Sequence, residues 1–167
     1  VSSEAQSASA KYAGAPVCGG CHRLQSNGQS ASAHAKALSA ADKHPLRDEF
    51  LQQSARRGPY EYTFLQGPAL QIRIRDAKDE MVLPVEWAFG AGRQAVTFVT
   101  RVNSQWFLEH ATSYYSVIKR LAFTPGQGTL NPALIKGAAG VLYRIDDPVT
   151  GIAGCFQCHS TGPVSFE

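Results

Sequence analysis

The sequence predicts an α+β fold, with a central antiparallel β-meander and short helices in the segments before and after it. Three observations predict it. Apolar and polar residues alternate through the middle of the chain, the period-two pattern of half-buried strands. Turn residues separate those runs at hairpin spacing. The flanking segments carry Ala-rich or aromatic runs bounded by Gly and Pro, as short helices are. At 167 residues the chain has the size of one ordinary domain, read as a flexible arm over residues 1–14 and a single domain over residues 15–167. Hydrophobic residues make up 44% and charged ones 17%, which suits a packed core and excludes a disordered or coiled-coil chain. No run approaches the ~18 apolar residues of a spanning helix. The net charge of +3 comes from scattered Lys and Arg instead of a basic stripe, which argues against nucleic acid as a partner.

Taken in order, residues 1–14 are rich in Ser, Ala and Gly without apolar periodicity and read as an arm or linker. Residues 29–43 have strong Ala-based helix propensity between Gly28 and Pro45, predicting a helix that carries His34. A second short helix runs from Pro45, a good first-turn residue, through Leu46, Phe50 and Leu51 to the Arg56-Arg57-Gly58-Pro59 break. Strands follow at residues 60–64, 70–75 and 95–102, and Asp76-Ala77-Lys78-Asp79 and Gly90-Ala91-Gly92 read as hairpin connections. Residues 82–89 and 105–108 add strands, for about four to six in one meander, with Trp87, Phe89, Phe98, Trp106 and Leu108 turned inward. Residues 112–123 are aromatic and apolar enough for a short helix, residues 124–128 form a turn, and residues 141–145 lead to the C-terminal segment.

The four cysteines fall in two pairs at opposite ends of the chain, Cys18-Gly19-Gly20-Cys21-His22 and Cys155-Phe156-Gln157-Cys158-His159. Both read CxxCH. With five histidines in the whole chain, one directly after each of two CxxC pairs is roughly a one-in-a-thousand coincidence by frequency. CxxCH is the pattern of covalent haem c attachment. Two thiols one turn apart add to the two vinyl groups of one macrocycle, and the next residue presents an imidazole to the iron. The doubled motif therefore assigns two covalently attached haem c groups, anchored by Cys18, Cys21, Cys155 and Cys158, with His22 and His159 as proximal iron ligands. On this assignment the N- and C-terminal segments bear the haems.

Three other uses of paired cysteines explain less. A zinc site built from two CxxC pairs usually brackets some 12–20 residues, whereas these pairs lie at the two ends of the chain. A thioredoxin-like motif opens a helix within a βαβ unit, and the C-terminal pair is too near the chain end for one. Disulfides within CxxC would close very short loops and stabilise little. None of the three accounts for the histidines.

Two irons leave two distal positions, and the candidates are His34, His44, His110 and Met81. His34 is favoured, since Ala31, Ala33, Ala35 and Ala37 around it let a flat macrocycle approach the backbone. A solvated helix histidine is the plain alternative. His110 is chosen for the second position because it ends an aromatic strand and precedes Tyr114-Tyr115, against the alternative of a hydrogen-bonded core histidine. His44 reads as a helix-end histidine facing the dipole. Met81 would raise a haem's potential as a ligand, but beside Val82 and Leu83 it reads as core filling.

Residues 12–38, with Cys18-Gly19-Gly20-Cys21-His22 followed by Ser32-Ala33-His34-Ala35-Lys36-Ala37, resemble the N-terminal haem segment of multihaem c-type cytochromes of the cytochrome c-554 kind. Residues 155–161 are similar to later haem boxes in that group. The resemblance implies a distal-ligand role for His34, often toward a haem other than the one attached just before it. It also implies an exported, periplasmic or extracellular bacterial protein, because this attachment chemistry is carried out outside the cytoplasm. It covers the two haem segments and not the β-rich centre, and those proteins usually carry more haems than two. The start at Val1-Ser2-Ser3, without a basic or apolar leader, fits a chain already relieved of a signal peptide.

The expected function is that of a dihaem c-type cytochrome passing single electrons between redox partner proteins, with each potential set by ligands, burial and nearby charge. No catalytic residue is assigned. Two haems with ionised propionates move the net charge to roughly +1 when ferric or −1 when ferrous, so a docking surface must be a local patch. Arg56, Arg57, Arg73, Arg75, Arg93 and Arg101 are candidates for propionate contacts or docking, or else ordinary surface charges. A reading of a different class gives one haem an open position that binds nitric oxide, carbon monoxide or peroxide, as a sensor or haem enzyme, with Glu109 and Arg93 as acid–base candidates. A third makes the chain one module of a larger electron-transfer assembly.

Overall fold

The structure is a computed structural model that describes residues 14–127, 133–147, 149, 151–160 and 166. The arm expected over residues 1–14 lies almost wholly outside them. Among the described residues are five helices, α1 (Ala15–Cys21), α2 (Arg23–Ala31), α3 (Arg47–Phe50), α4 (Ile135–Ala138) and α5 (Ile152–His159). The ten strands are β1 (Leu38–Ala40), β2 (Ser54–Arg57), β3 (Tyr60–Gln66), β4 (Leu70–Arg75), β5 (Glu80–Pro84), β6 (Trp87–Phe89), β7 (Ala95–Arg101), β8 (Trp106–Tyr115), β9 (Arg120–Phe123) and β10 (Gly140–Arg144). The α+β class and the antiparallel pairing are as expected. The single meander is not, because the strands divide into two sheets.

One sheet has the order β2-β3-β4-β5. The other runs β1-β6-β7-β8-β10, with β9 also paired to β8. Residues 82–89, expected as one strand, are where the chain changes sheet. Pro84 ends β5, which lies at a sheet edge where a missing N–H is tolerated. The next two amides then bond in opposite directions, Val85 N–H to Leu70 O at 2.8 Å in the first sheet and Glu86 N–H to Val99 O at 3.2 Å in the second.

Alternation then builds the core. Tyr60, Tyr62 and Phe64 of β3 and Leu70, Ile72 and Ile74 of β4 are buried, and they share one cluster with Val96, Phe98, Leu108 and Tyr114 of the larger sheet. Phe50 of α3 fits between the sheets, its ring 5.0 Å from Phe98 and 5.2 Å from Tyr114. The larger sheet is covered on its other face too. Phe89, Val99 and Phe107 there form a second cluster with Ile152 and Phe156 of α5. A strand covered on both faces loses its alternation, which is why residues 112–123 read as a helix. They are in fact the end of β8, a turn, and β9.

The Ala-rich helix expected over residues 29–43 is also replaced. Helix α2 spans Gly28 and stops at Ala31, because Ser32 adopts an extended backbone and its hydroxyl accepts the Ala35 N–H at 3.1 Å, the local competition that makes serine a helix stop. A 3-10 turn at His34–Lys36 follows, then β1, which pairs Leu38 with Phe89. Tertiary pairing has overridden alanine propensity. The Asp76 hairpin is as expected, with its carboxylate accepting the N–H groups of Lys78 and Asp79 at 2.8 Å each. Gly90 joins β6 toward β7 at φ 124°, where a Cβ would stand 2.3 Å from the Ala95 carbonyl oxygen, so only glycine fits.

Candidate functional site

Each CxxCH motif lies on a helix, so its two cysteines are three residues apart on neighbouring turns of one face. Cys18 and Cys21 are on α1, and Cys155 and Cys158 on α5. All four thiols are free and exposed.

The C-terminal motif is the better supported by its surroundings. Phe156, between the two cysteines, is 3% exposed. Its ring packs edge-on against Trp87, Phe89, Phe107 and Phe166 at 5.3, 4.9, 5.6 and 5.2 Å. This anchor seats α5 on the larger sheet and leaves Cys155 and Cys158 exposed. His159 closes the helix with its ring against Phe89, and its Nδ1–H donates to the Ala37 carbonyl at 3.3 Å. That carbonyl is itself fixed, since it accepts the Gly90 N–H at 2.7 Å. Gly90 in turn accepts from His44 Nε2–H at 3.1 Å, and His44 Nδ1 accepts the Leu46 N–H at 3.1 Å. A chain of bonds therefore runs from the core through the sheet edge to the imidazole of the second motif. A cleft of about 150 Å³ beside it is lined by Phe89, Thr97, Val99, Glu109, Cys155 and His159. Burial, together with the Glu109 carboxylate, raises the Cys155 pKa. Glu109 is held by Gln127 Nε2–H at 2.8 Å and by the Tyr143 hydroxyl at 3.3 Å.

The N-terminal motif has the opposite character. Helices α1 and α2 contain no buried residue, and Val17 and Leu24, on either side of the motif, are 66% and 84% exposed. His22 is the junction of the two helices. His34, expected on a helix, is an exposed residue of the 3-10 turn instead, three residues before the carbonyl that holds His159.

His110 is fully buried in β8. It faces the core between the two sheets, whereas α5 covers the other face. The Thr100 hydroxyl donates to the Pro84 carbonyl, so His110 Nε2–H donates to Thr100 Oγ1, at 2.8 Å. Burial lowers its pKa to about 4. This is the placement of a core histidine, the alternative weighed for it, and it is on the wrong face to meet a group held by α5. His44 closes the 3-10 turn Ala41–Lys43, the helix end expected for it, but its ring turns into the fold instead of facing the dipole. It is 3% exposed, both ring nitrogens are engaged, and burial lowers its pKa. Met81 packs against the core between the sheets.

Of the arginines, Arg101 meets the α5 cluster, donating to the Phe166 carbonyl at 2.7 Å with its guanidinium 5.9 Å from the Phe107 ring. Arg75 pairs with Glu61 at 2.6 Å and Arg73 lies 3.9 Å from Glu80, both in the smaller sheet. Arg57 donates to the Gln127 carbonyl at 2.8 Å. Arg93 is exposed.

The residues fit haem c. The thiols are unpaired, both motifs present them outward, and His159 has the arrangement of a metal-binding imidazole, with one ring N–H given to a carbonyl and the other nitrogen left for the metal. The zinc alternative is not assembled, because among the described residues no three His, Cys, Asp or Glu side chains converge as a metal cluster. A raised pKa at Cys155 is also the reverse of what a reactive redox thiol needs. Two parts of this site are illegible in a single sequence: the Ala37 carbonyl, which acts through its backbone, and the anchor Phe156, which sits at a variable position of the motif. Comparison with family models, curated proteins and solved structures found no match for this chain. Among the described residues no helix is long and apolar enough to cross a membrane.

Proposed function

We propose that the chain is a dihaem c-type cytochrome that passes single electrons between redox partner proteins. Its resemblance to cytochromes of the c-554 kind and an exported location are part of the same proposal. The observation that carries it is at the C-terminal motif, where a CxxCH helix is anchored on the sheet by Phe156 and its histidine is held through Nδ1 by the Ala37 carbonyl. Cys18, Cys21 and His22 would hold one haem, and Cys155, Cys158 and His159 the other. The haem supplies a one-electron iron couple when bound.

The chain's own residues supply position and environment. Phe89 and Phe156 exclude water from the sheet side of α5. The Ala37 carbonyl orients His159 and makes its Nε2 a better donor. The Glu109 carboxylate, beside Cys155 and His159 in the cleft, favours the more positive, oxidised state and so lowers the potential at that end. At the other end, Val17 and Leu24 are exposed and would offer apolar surface to a haem held by Cys18, Cys21 and His22.

The test is expression with a periplasmic haem-attachment system, followed by intact mass and a pyridine haemochrome assay. Two covalent haems are expected, with one lost in each of Cys18→Ala/Cys21→Ala and Cys155→Ala/Cys158→Ala, and two one-electron waves are expected in a redox titration. Retention of zinc or disulfides with no covalent haem would overturn the proposal.

A further inference from the structure

We infer that the turn between β8 and β9 is a docking tip for a membrane surface that carries anionic lipid. The inference stands apart from the dihaem reading. The turn covers Ser116–Lys119, and its two central residues, Val117 and Ile118, are 74% and 50% exposed. Cations surround that apolar pair. Lys119 and Arg120 follow it directly and are exposed. Arg93, also exposed, comes from the adjoining loop before β7. Tyr115 pairs with Ala95, and the Ser116 N–H donates to the Gln94 carbonyl at 2.9 Å, so the register of β7 and β8 brings Arg93 to the turn. Among the described residues no carboxylate pairs with Arg93, Lys119 or Arg120. Glu49, which reaches the end of β8, is bonded to the Tyr114 hydroxyl instead.

The backbone of the turn gives an independent reason. Lys119 has φ 47°, the one non-glycine residue at positive φ among the described residues. A hairpin turn that needs a left-handed residue ordinarily takes Gly or Asn there. This turn gives up that local preference for a cation, and gives up a polar tip for Val117 and Ile118. Departures from local preference gather where a function requires them. The kind of partner follows from size and charge. A stable protein interface buries about 1,200–2,000 Å² in total, more than one hairpin tip and a neighbouring arginine supply. A bilayer needs no matching pocket. Val117 and Ile118 enter the boundary between headgroups and acyl chains, while Lys119, Arg120 and Arg93 lay their aliphatic stems along it and hold their charges at the lipid phosphates.

The full chain, purified after periplasmic expression, is sedimented with vesicles of phosphatidylglycerol and phosphatidylcholine in equal parts, and with vesicles of phosphatidylcholine alone. Binding to the anionic vesicles should be stronger by at least about tenfold at low salt and should weaken as salt is added, because exposed charges are screened. At about fivefold per cation, Arg93→Gln/Lys119→Gln should bind about 20-fold more weakly, and Val117→Ser/Ile118→Ser about tenfold more weakly. All four side chains are exposed, so both variants should keep the wild-type far-UV circular dichroism. Lys119→Gly separates docking from folding: relief of the left-handed residue should raise the urea midpoint while vesicle affinity falls about fivefold. Equal binding to the two kinds of vesicle would overturn the inference, as would binding that survives the variants or a Lys119→Gly chain that keeps full affinity. Binding to polyglutamate with none to vesicles would overturn it in favour of an acidic protein partner.

Discussion

Truncating Phe156 to alanine tests how α5 is held. The side chain is 3% exposed and its ring meets four aromatic rings, those of Trp87, Phe89, Phe107 and Phe166, all within 6 Å. Deleting a buried phenylalanine costs about 3–5 kcal/mol through lost transfer energy and the cavity left behind. The edge-on pairs contribute about 0.5–1.5 kcal/mol each beyond burial, although they share one ring and do not sum. A loss of about 4 kcal/mol is a large part of the roughly 5–15 kcal/mol of a typical domain. With a urea slope of about 1–3 kcal/mol per molar, the midpoint should fall by more than about 1 M. Far-UV circular dichroism against urea gives that midpoint for wild type, Phe156→Ala and the better space-filling Phe156→Leu, which should lose about a third as much. A Phe156→Ala shift below about 0.3 M at unchanged slope would refute the reasoning, since α5 would then not be seated on the outer face of the sheet.

Three further outcomes follow from the same packing. Gly140 has φ 145°, and a Cβ there would stand 1.9 Å from the Glu109 carbonyl oxygen; Gly140→Ala should therefore destabilise by at least about 2 kcal/mol, measured by urea unfolding. His110 has its pKa lowered to about 4 in the fold from about 6.5 unfolded, so as pH falls through that window the unfolded chain takes up a proton that the native chain refuses. Stability should drop by about 3 kcal/mol between those values and level off below them, and subtracting the stability–pH curve of His110→Gln from that of wild type should isolate this slope. His44→Ala removes the donor to Gly90 and the acceptor for Leu46, and should cost about 1–3 kcal/mol. With haems attached it should also move the potential of the C-terminal haem and not that of the N-terminal one, by spectroelectrochemistry.

Much of the smaller sheet was legible because it keeps strict alternation. Tyr60, Tyr62 and Phe64 and then Leu70, Ile72 and Ile74 point inward in turn, and Asp76 marks the next hairpin. The larger sheet was harder to read, since burial on both faces hides its period and turns residues 112–123 into an apparent helix. Trp87 and Phe89 were expected to be core residues, but the sequence does not reveal that they face α5 instead of the smaller sheet. His34 was placed on a helix by the alanines around it, while Ser32 and the pairing of β1 with β6 make it part of a turn.

The sequence by itself carries the proposed chemistry, because covalent haem attachment depends on thiols at a fixed short spacing followed by an imidazole, and a local pattern of that kind is complete in five residues. It also limited the imidazole and thioether side chains open to the proposed haems to five histidines and one methionine. Only the tertiary structure decided which of them are free to act. His110 and His44 are alike in the sequence to any ligand, and the fold sets them apart from that role by burying His110 between the sheets with Nε2 on Thr100 and by spending both ring nitrogens of His44 on Gly90 and Leu46. The Ala37 carbonyl reaches His159 across 122 positions of chain, a contact made by backbone atoms that every residue carries, and one that no residue identity could announce.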